Sequence, residues 1–571
     1  MTSLSEGAKV RIEKLLRRIY GDSLDDNYLD AIFQLVEDNL KNIQCELEKW
    51  NNSDIILITY GNSIRKQDER PLQTLHRFLQ EYVKDDINIV HILPFFPYSS
   101  DDGFSVINYY EVDSELGSWD DISRINEKFD IMTDLVINHI SRKSEWFQNF
   151  LVDKHPGKDY FIKMDPETDI SSVTRPRSGS LFTLFKTAKG EKYVWTTFSS
   201  DQIDLDFRNP WVLYEMLRVL FFYLQKGVRI IRLDAIAYLW KKPGTSCIHL
   251  PETHRIVNLI RELAELINPE VIILTETNVP HKENLSYFGE NYDEAHMIYQ
   301  FSLPSLLLYT LHAGCSKYLS RWIDTVPETN GKGTYVNFTA SHDGIGVRAL
   351  EGILPEKEKK DLLQKMVEFG GYISTKMNPD GSESPYELNI AYFDALKGTK
   401  KGLDSLQEQR FICSQTIMMT LKGIPAFYIH SLTATRNDIE GVERTGRYRS
   451  INRGKLDYEE LIFSLTAKKN SKSRIFYELK RLIRIRKKQP AFHPDSEQYV
   501  IHCGDVFLGI KRIASEENII WSISNITDEK QRFSLDTVIK KGDIIDLIEN
   551  RSYQSGSVIM LKPYQTLWLK K

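Results

Sequence analysis

Three observations predict an α/β protein organised as a (β/α)8 TIM barrel. Short runs of β-branched and apolar residues alternate with longer amphipathic segments along most of the chain, the rhythm of strands joined by helical crossovers. Eight such runs are present, the number that closes a barrel. Several end in carboxylates, histidine or asparagine, and the C-terminal ends of barrel strands are where this architecture carries chemistry.

The first three runs, Ile55–Tyr60, Ile87–Leu93 and Ile131–Asn138, are separated by the helix-like segments Leu72–Tyr82 and Trp119–Lys128. The fourth, Val228–Asp234, follows the amphipathic segment Trp211–Gln225, and Gly227 marks the change from helix to strand. A strand buried on both faces should be apolar throughout, yet Arg229, Arg232 and Asp234 interrupt Val228, Ile230, Ile231 and Leu233. Buried charges need partners, because a lone one is costly. Taken alone, an Arg232–Asp234 pair suits a structural tie as well as a chemical role. The remaining runs are Val271–Thr275, His296–Phe301, Tyr335–Ser341 and Ile424–His430, with Pro251–Leu266, Leu303–Leu319 and Ser405–Leu421 as helices between them.

Helical periodicity in VRIEKLLRRIYG and YLDAIFQLVEDNLKNI places an N-terminal helical extension over residues 1–52. The barrel is expected over 53–140 and 206–490. Residues 141–205, rich in aromatic, Ser, Gly and Lys residues, are too many for a plain loop and predict an inserted subdomain after strand three. Residues 346–402, which hold NPDGSESP, predict a lid insertion after strand seven. Over 495–571 alternating segments such as YVIHCGDVFLGIKRI and NIIWSISN predict a C-terminal antiparallel β-domain.

A chain of 571 residues has room for one large core and smaller domains. With 41% apolar and 27% charged residues, a net charge of −5 and no basic block, it is not built to bind nucleic acid. The N-terminus has neither the basic nor the apolar region of a signal peptide, and no apolar run approaches bilayer length, so a cytoplasmic protein with no membrane partner is expected. Cys45, Cys247, Cys315, Cys413 and Cys503 are scattered and odd in number, which suits reduced thiols, with Cys247 as core filler.

The polar strand ends form a short list. The second run leads to Asp101-Asp102-Gly103-Phe104, the third ends at Asn138-His139, the fourth at Arg232-Leu233-Asp234, the fifth at Thr275-Glu276-Thr277 and the seventh at Ser341-His342-Asp343. Any one suits hydrogen bonding in the barrel mouth. Asp234, Glu276 and Asp343, however, bring three carboxylates to one face from strands four, five and seven.

At this point the sequence resembles the α-amylase superfamily of retaining glycoside hydrolases and transglycosylases, whose four signature regions read here DLVINH, VRIIRLDA, ILTET and NFTASHD. Within it, HILPFFPYSSDDGF, ELGSWDDI, TRPRSG, VWTTFSSDQIDLDF, GTSC, SHDGIGV and SINR resemble the sucrose phosphorylase group, from about Asp54 to Arg453. The resemblance implies that Asp234 is the nucleophile, Glu276 the general acid/base and Asp343 the transition-state stabiliser. A retaining mechanism needs an ionised and a protonated carboxyl about 5 Å apart. Arg232 suits the first need and a drier setting for Glu276 the second. It further implies that His139 and His342 donate to sugar hydroxyls. Asp101 with Arg453 closes a blind single-sugar pocket, and Phe104, Phe198 and Tyr238 wall it.

Arg177 and Tyr386 stand where the sucrose phosphorylases place phosphate-binding groups, although Arg175 and Arg177 alone suit solvated loop charges equally. Asn278 after the acid/base, Glu387 after Tyr386 and the greater chain length depart from the sucrose enzymes and look like the glucosylglycerate phosphorylases of the same group. The expected reaction is therefore glucosylglycerate plus phosphate to α-glucose 1-phosphate plus glycerate. A sucrose-type phosphorylase or a retaining α-glucosidase is the alternative. A non-catalytic amylase-like scaffold is disfavoured because every catalytic carboxylate is present. For the glycerate carboxylate, Lys241, Lys242, His281 and Lys282 are the candidate cations. Many α-amylases bind calcium through the asparagine matching Asn138; the group resembled here does not. No metal and no cofactor are expected, and inorganic phosphate is the co-substrate.

Overall fold

The computed structural model describes residues 3–21, 24–40, 48–177, 179–378 and 381–571; Cys45 and residues 41–47 of the N-terminal extension lie outside them. Eight parallel strands close a barrel in chain order: β1 (Ile56–Thr59), β2 (Ile89–Ile92), β3 (Asp130–Val136), β4 (Val228–Asp234), β5 (Ile272–Thr275), β6 (Met297–Tyr299), β7 (Thr334–Phe338) and β8 (Ile424–Tyr428), with β8 returning to β1. Each falls on one of the predicted runs.

The helix Pro210–Gln225 before β4 begins with Pro210 in its first turn and the Asn209 side chain capping the Trp211 N–H. It ends at Gly227, whose φ of +83° is left-handed and where a Cβ would lie 2.5 Å from Asn126 Nδ2. One predicted helix, Leu303–Leu319, is instead two, Ser302–Ala313 and Lys317–Ile323. Gly314 between them takes a φ of +67° and its N–H closes on the Thr310 carbonyl at 2.9 Å, a left-handed cap that apolar periodicity does not register.

Two N-terminal helices, α1 (Glu6–Tyr20) and α2 (Asp26–Glu37), are capped by Ser5 and Asp25 and lie against the barrel helices Pro251–Ile267 and Pro210–Gln225. Ile12, Leu16 and Ile32 are fully buried, each contributing about 1.5–3 kcal/mol. Beyond β3 the chain forms the helix Glu145–Leu151 and a three-stranded sheet from Lys163–Met164, Phe182–Thr187 and Gly190–Trp195. Strand His139–Ser141 pairs antiparallel with Gln202–Asp204 at its root. Beyond β7, Tyr372–Met377 and Glu383–Asn389 form an antiparallel hairpin. The C-terminal region holds a six-stranded antiparallel sheet with a two-stranded one beside it. Among the described residues no helix is long and apolar enough to cross a membrane.

Candidate active site

Strand β4 presents Arg232 and Asp234 on one face because they are two residues apart. In register, Arg232 faces Asp134 of β3 and Asp234 faces Val136. Arg232 Nη1 donates to Asp134 and, at 2.9 Å, to Asp234 Oδ1, while Nη2 stands 4.0 Å from Glu276 Oε1. Glu276 follows β5 directly, and its Oε2 accepts from the Ala235 N–H at 2.9 Å. Asp343 enters from the loop after β7, with Arg449 Nη1 at 2.6 Å and His342 Nε2 at 3.5 Å. The three carboxylates predicted to converge do so around one cavity.

Burial raises the pKa of Asp234, as do the neighbouring carboxylates of Glu276, Asp134 and Asp343, against the opposing pull of Arg232. Burial raises Glu276 as well, again opposed by Arg232. Both carboxyls draw on the same Arg232 guanidinium. Arg232 touches Asp234 and only approaches Glu276, so a proton held by the pair belongs on Glu276. Asp343 behaves oppositely. Burial alone would raise it, but Arg449, His342, Arg453 and Arg232 together hold it well below the ordinary carboxylate range.

Asp101, Phe104, His139, Phe198, Tyr238 and His342 line the cavity together with Arg177, Asn278, Tyr386 and Glu387. Phe104 stacks on His342 with ring centroids 4.8 Å apart, and Phe198 meets His139 and Tyr238 at 5.2 and 5.5 Å. Arg232 lies beneath the floor and Arg453 behind the wall, bonded to the His342 carbonyl at 2.8 Å. Arg453 pairs more closely with Asp102, at 2.7 Å, than with Asp101, at 3.4 Å, so its tighter partner is the residue after the expected one. His139 also differs from expectation. Its Nε2–H donates to the Phe104 carbonyl at 2.8 Å instead of standing free for a hydroxyl.

The chain is 40% identical to the glucosylglycerate phosphorylase of Escherichia coli (strain K12), over 98% of this chain and 100% of that protein. It belongs to the α-amylase family, in its phosphorylase group. The family's catalytic-domain model matches residues 78–347. The glucosylglycerate phosphorylase of Spirochaeta thermophila is 42% identical, over 98% of each chain. Among solved structures, the sucrose 6F-phosphate phosphorylase from Thermoanaerobacter thermosaccharolyticum superposes with a TM-score of 0.73 at 29% identity, covering 83% of this chain and 94% of that one.

Within this α-amylase family enzyme none of the four candidate cations lines the cavity. Lys241 is buried, with Nζ 2.5 Å from Asn138 Oδ1 and 2.6 Å from Asp204 Oδ2. Its ammonium ties the third strand end to the inserted segment, at the asparagine that meets calcium in many α-amylases. Lys242 and Lys282 are exposed, and the His281 ring rests on Trp322 with centroids 5.7 Å apart. The cations that do line the cavity are Arg177, whose guanidinium lies 5.6 Å from the Tyr386 ring centre, and Arg449. Arg449 bridges Asp343 to Glu387, donating to both oxygens of the latter. Sequence reasoning missed it, although RTGRYRSINR packs Arg444, Arg447, Arg449 and Arg453 into ten residues. Asn278 lines the same space, and its Oδ1 is buried without a hydrogen-bond partner among the described residues.

Proposed function

We propose that this enzyme is a retaining α-glucoside phosphorylase that converts glucosylglycerate and inorganic phosphate to α-glucose 1-phosphate and glycerate. The observation that carries the reading is a cavity whose floor holds three carboxylates and whose wall holds Arg177 and Arg449, in a chain alike over its full length to curated glucosylglycerate phosphorylases. Asp234 attacks the anomeric carbon while Glu276 passes its proton to the departing glyceryl oxygen, leaving a β-glucosyl ester on Asp234 and free glycerate. Asp343, kept ionised, faces the positive charge that develops on the ring. Phosphate then attacks the same carbon, gives its proton to Glu276 and restores Asp234, so the configuration is retained after two inversions.

The glycerate carboxylate and the phosphate occupy the acceptor side in turn, where Arg177, Arg449, Asn278 and Tyr386 recognise anions and Glu387 accepts from a glycerate hydroxyl. No cofactor takes part, and the described cysteines, all free, suit a reducing cytoplasm. The test offers glycerate, fructose, glycerol and water to purified enzyme with α-glucose 1-phosphate and reads phosphate release. Glycerate is expected to be the preferred acceptor. Equal or faster release with fructose makes it a sucrose-type enzyme, and release with water alone makes it a hydrolase.

A further inference from the structure

The loop after β2 carries Asp101, Asp102 and Phe104 to the cavity, and its backbone is strained. Asp101 and Asp102 take successive φ values of +52° and +50°, in the left-handed region that residues other than glycine seldom enter. This turn brings Asp102 to 2.7 Å from Arg453 and leaves Asp101 lining the cavity. The hydroxyls on both sides of the turn point to one side chain of the inserted segment. Asp201 Oδ2 accepts from Ser99 Oγ at 2.5 Å, Ser100 Oγ at 2.5 Å and Ser105 Oγ at 2.9 Å. Its other oxygen lies 3.3 Å from Arg142 Nε, and its backbone carbonyl accepts from the Arg142 N–H at 3.0 Å. One residue on, Gln202 Nε2 donates to the Phe104 carbonyl at 3.1 Å. Asp201 itself does not line the cavity.

We propose that Asp201 is a positioning residue for glucosyl recognition: its carboxylate clamps the serines flanking the strained turn, so that Asp101 and Phe104 are held in place before the sugar arrives. Ionised oxygens make the stronger acceptors, which is why a carboxylate suits a point where three hydroxyls meet. The inference rests on reading Asp101 and Phe104 as the wall of the glucose pocket.

The test measures kcat and KM in both directions for full-length Asp201→Ala, Asp201→Asn and Asp101→Asn. Asp201→Ala is expected to raise KM for glucosylglycerate and for α-glucose 1-phosphate about tenfold or more, the scale of one charge-assisted hydrogen bond. KM for phosphate and glycerate should stay within about twofold in the same variant, and Asp201→Asn, which keeps one acceptor oxygen, should fall between. A rise shared equally by all four substrates, or a fall in kcat alone, overturns the clamp and makes Asp201 merely structural. Raised KM in Asp101→Asn with unchanged KM in both Asp201 variants also overturns it while leaving the pocket reading intact. Unchanged KM in Asp101→Asn sinks the pocket reading and the inference with it. If Asp201→Ala does not fold, Ser100→Ala removes one of the three hydroxyls, and unaltered KM for both glucosyl substrates in that variant overturns the clamp.

Discussion

Replacing Arg449 with methionine keeps much of the side-chain bulk and removes its charge. Arg449 lies 2.6 Å from Asp343 and forks onto the buried Glu387, and it is the strongest of the charges holding Asp343 below the ordinary carboxylate range. An opposite charge at such a distance lowers a carboxyl by about 1–3 pKa units, so its loss lets Asp343 rise by a comparable amount. Arg453 at 3.7 Å remains, which keeps the rise at the lower end of that span. Asp343 acts ionised. Asp234, which burial and its carboxylate neighbours raise, sets the acid limb of kcat/KM, so a rise of Asp343 from far below it leaves that limb in place. On the plateau, losing one preorganised electrostatic contact beside the reacting centre costs about 10²–10³-fold in turnover, about 2.7–4 kcal/mol. The assay is the pH profile of α-glucose 1-phosphate formation for both proteins under saturating phosphate. A kcat/KM within about tenfold of wild type across the profile would refute the electrostatic argument.

Asp234→Ala should show no turnover above background with an unaltered circular dichroism spectrum, and Glu276→Gln should slow transfer from glucosylglycerate about 10²–10⁴-fold while sparing α-glucosyl fluoride, whose leaving group needs no proton. Equal losses on both donors would remove the acid assignment. Lys241→Met leaves Asp204, fully buried, without its ion partner; urea unfolding should report a loss of about 3–5 kcal/mol, and an unmoved midpoint would contradict it. Burial depresses His296, His312 and His430 to about 4 and His342 to about 3. The unfolded chain therefore binds more protons below pH ~6.5, so the stability present at neutral pH should fall on acidification towards pH ~4, by up to about 1.4 kcal/mol per unit for each group. Unfolding midpoints that stay level between pH 7.5 and 5 would exclude this.

The barrel was legible in the sequence because burial on both faces forces apolar runs and the crossover helices force amphipathic ones, and both periodicities are local. Asp234, Glu276 and Asp343 were legible as a set: any one carboxylate at a strand end suits a structural tie, but three from strands of one barrel must point to one mouth. What lies around that trio was decided elsewhere. Arg449 reaches Asp343 from a segment more than a hundred residues later in the chain, and no spacing rule links them. Lys241 is a candidate acceptor cation in sequence, yet closure of the inserted segment onto the barrel seals its ammonium between Asn138 and Asp204. The break at Gly314 depended on one backbone angle. Local pattern thus determined the elements and the strand ends where charge gathers. Only packing between distant segments decided which opposite charges are buried together, because that energy depends on distance and desolvation, which a linear sequence does not contain.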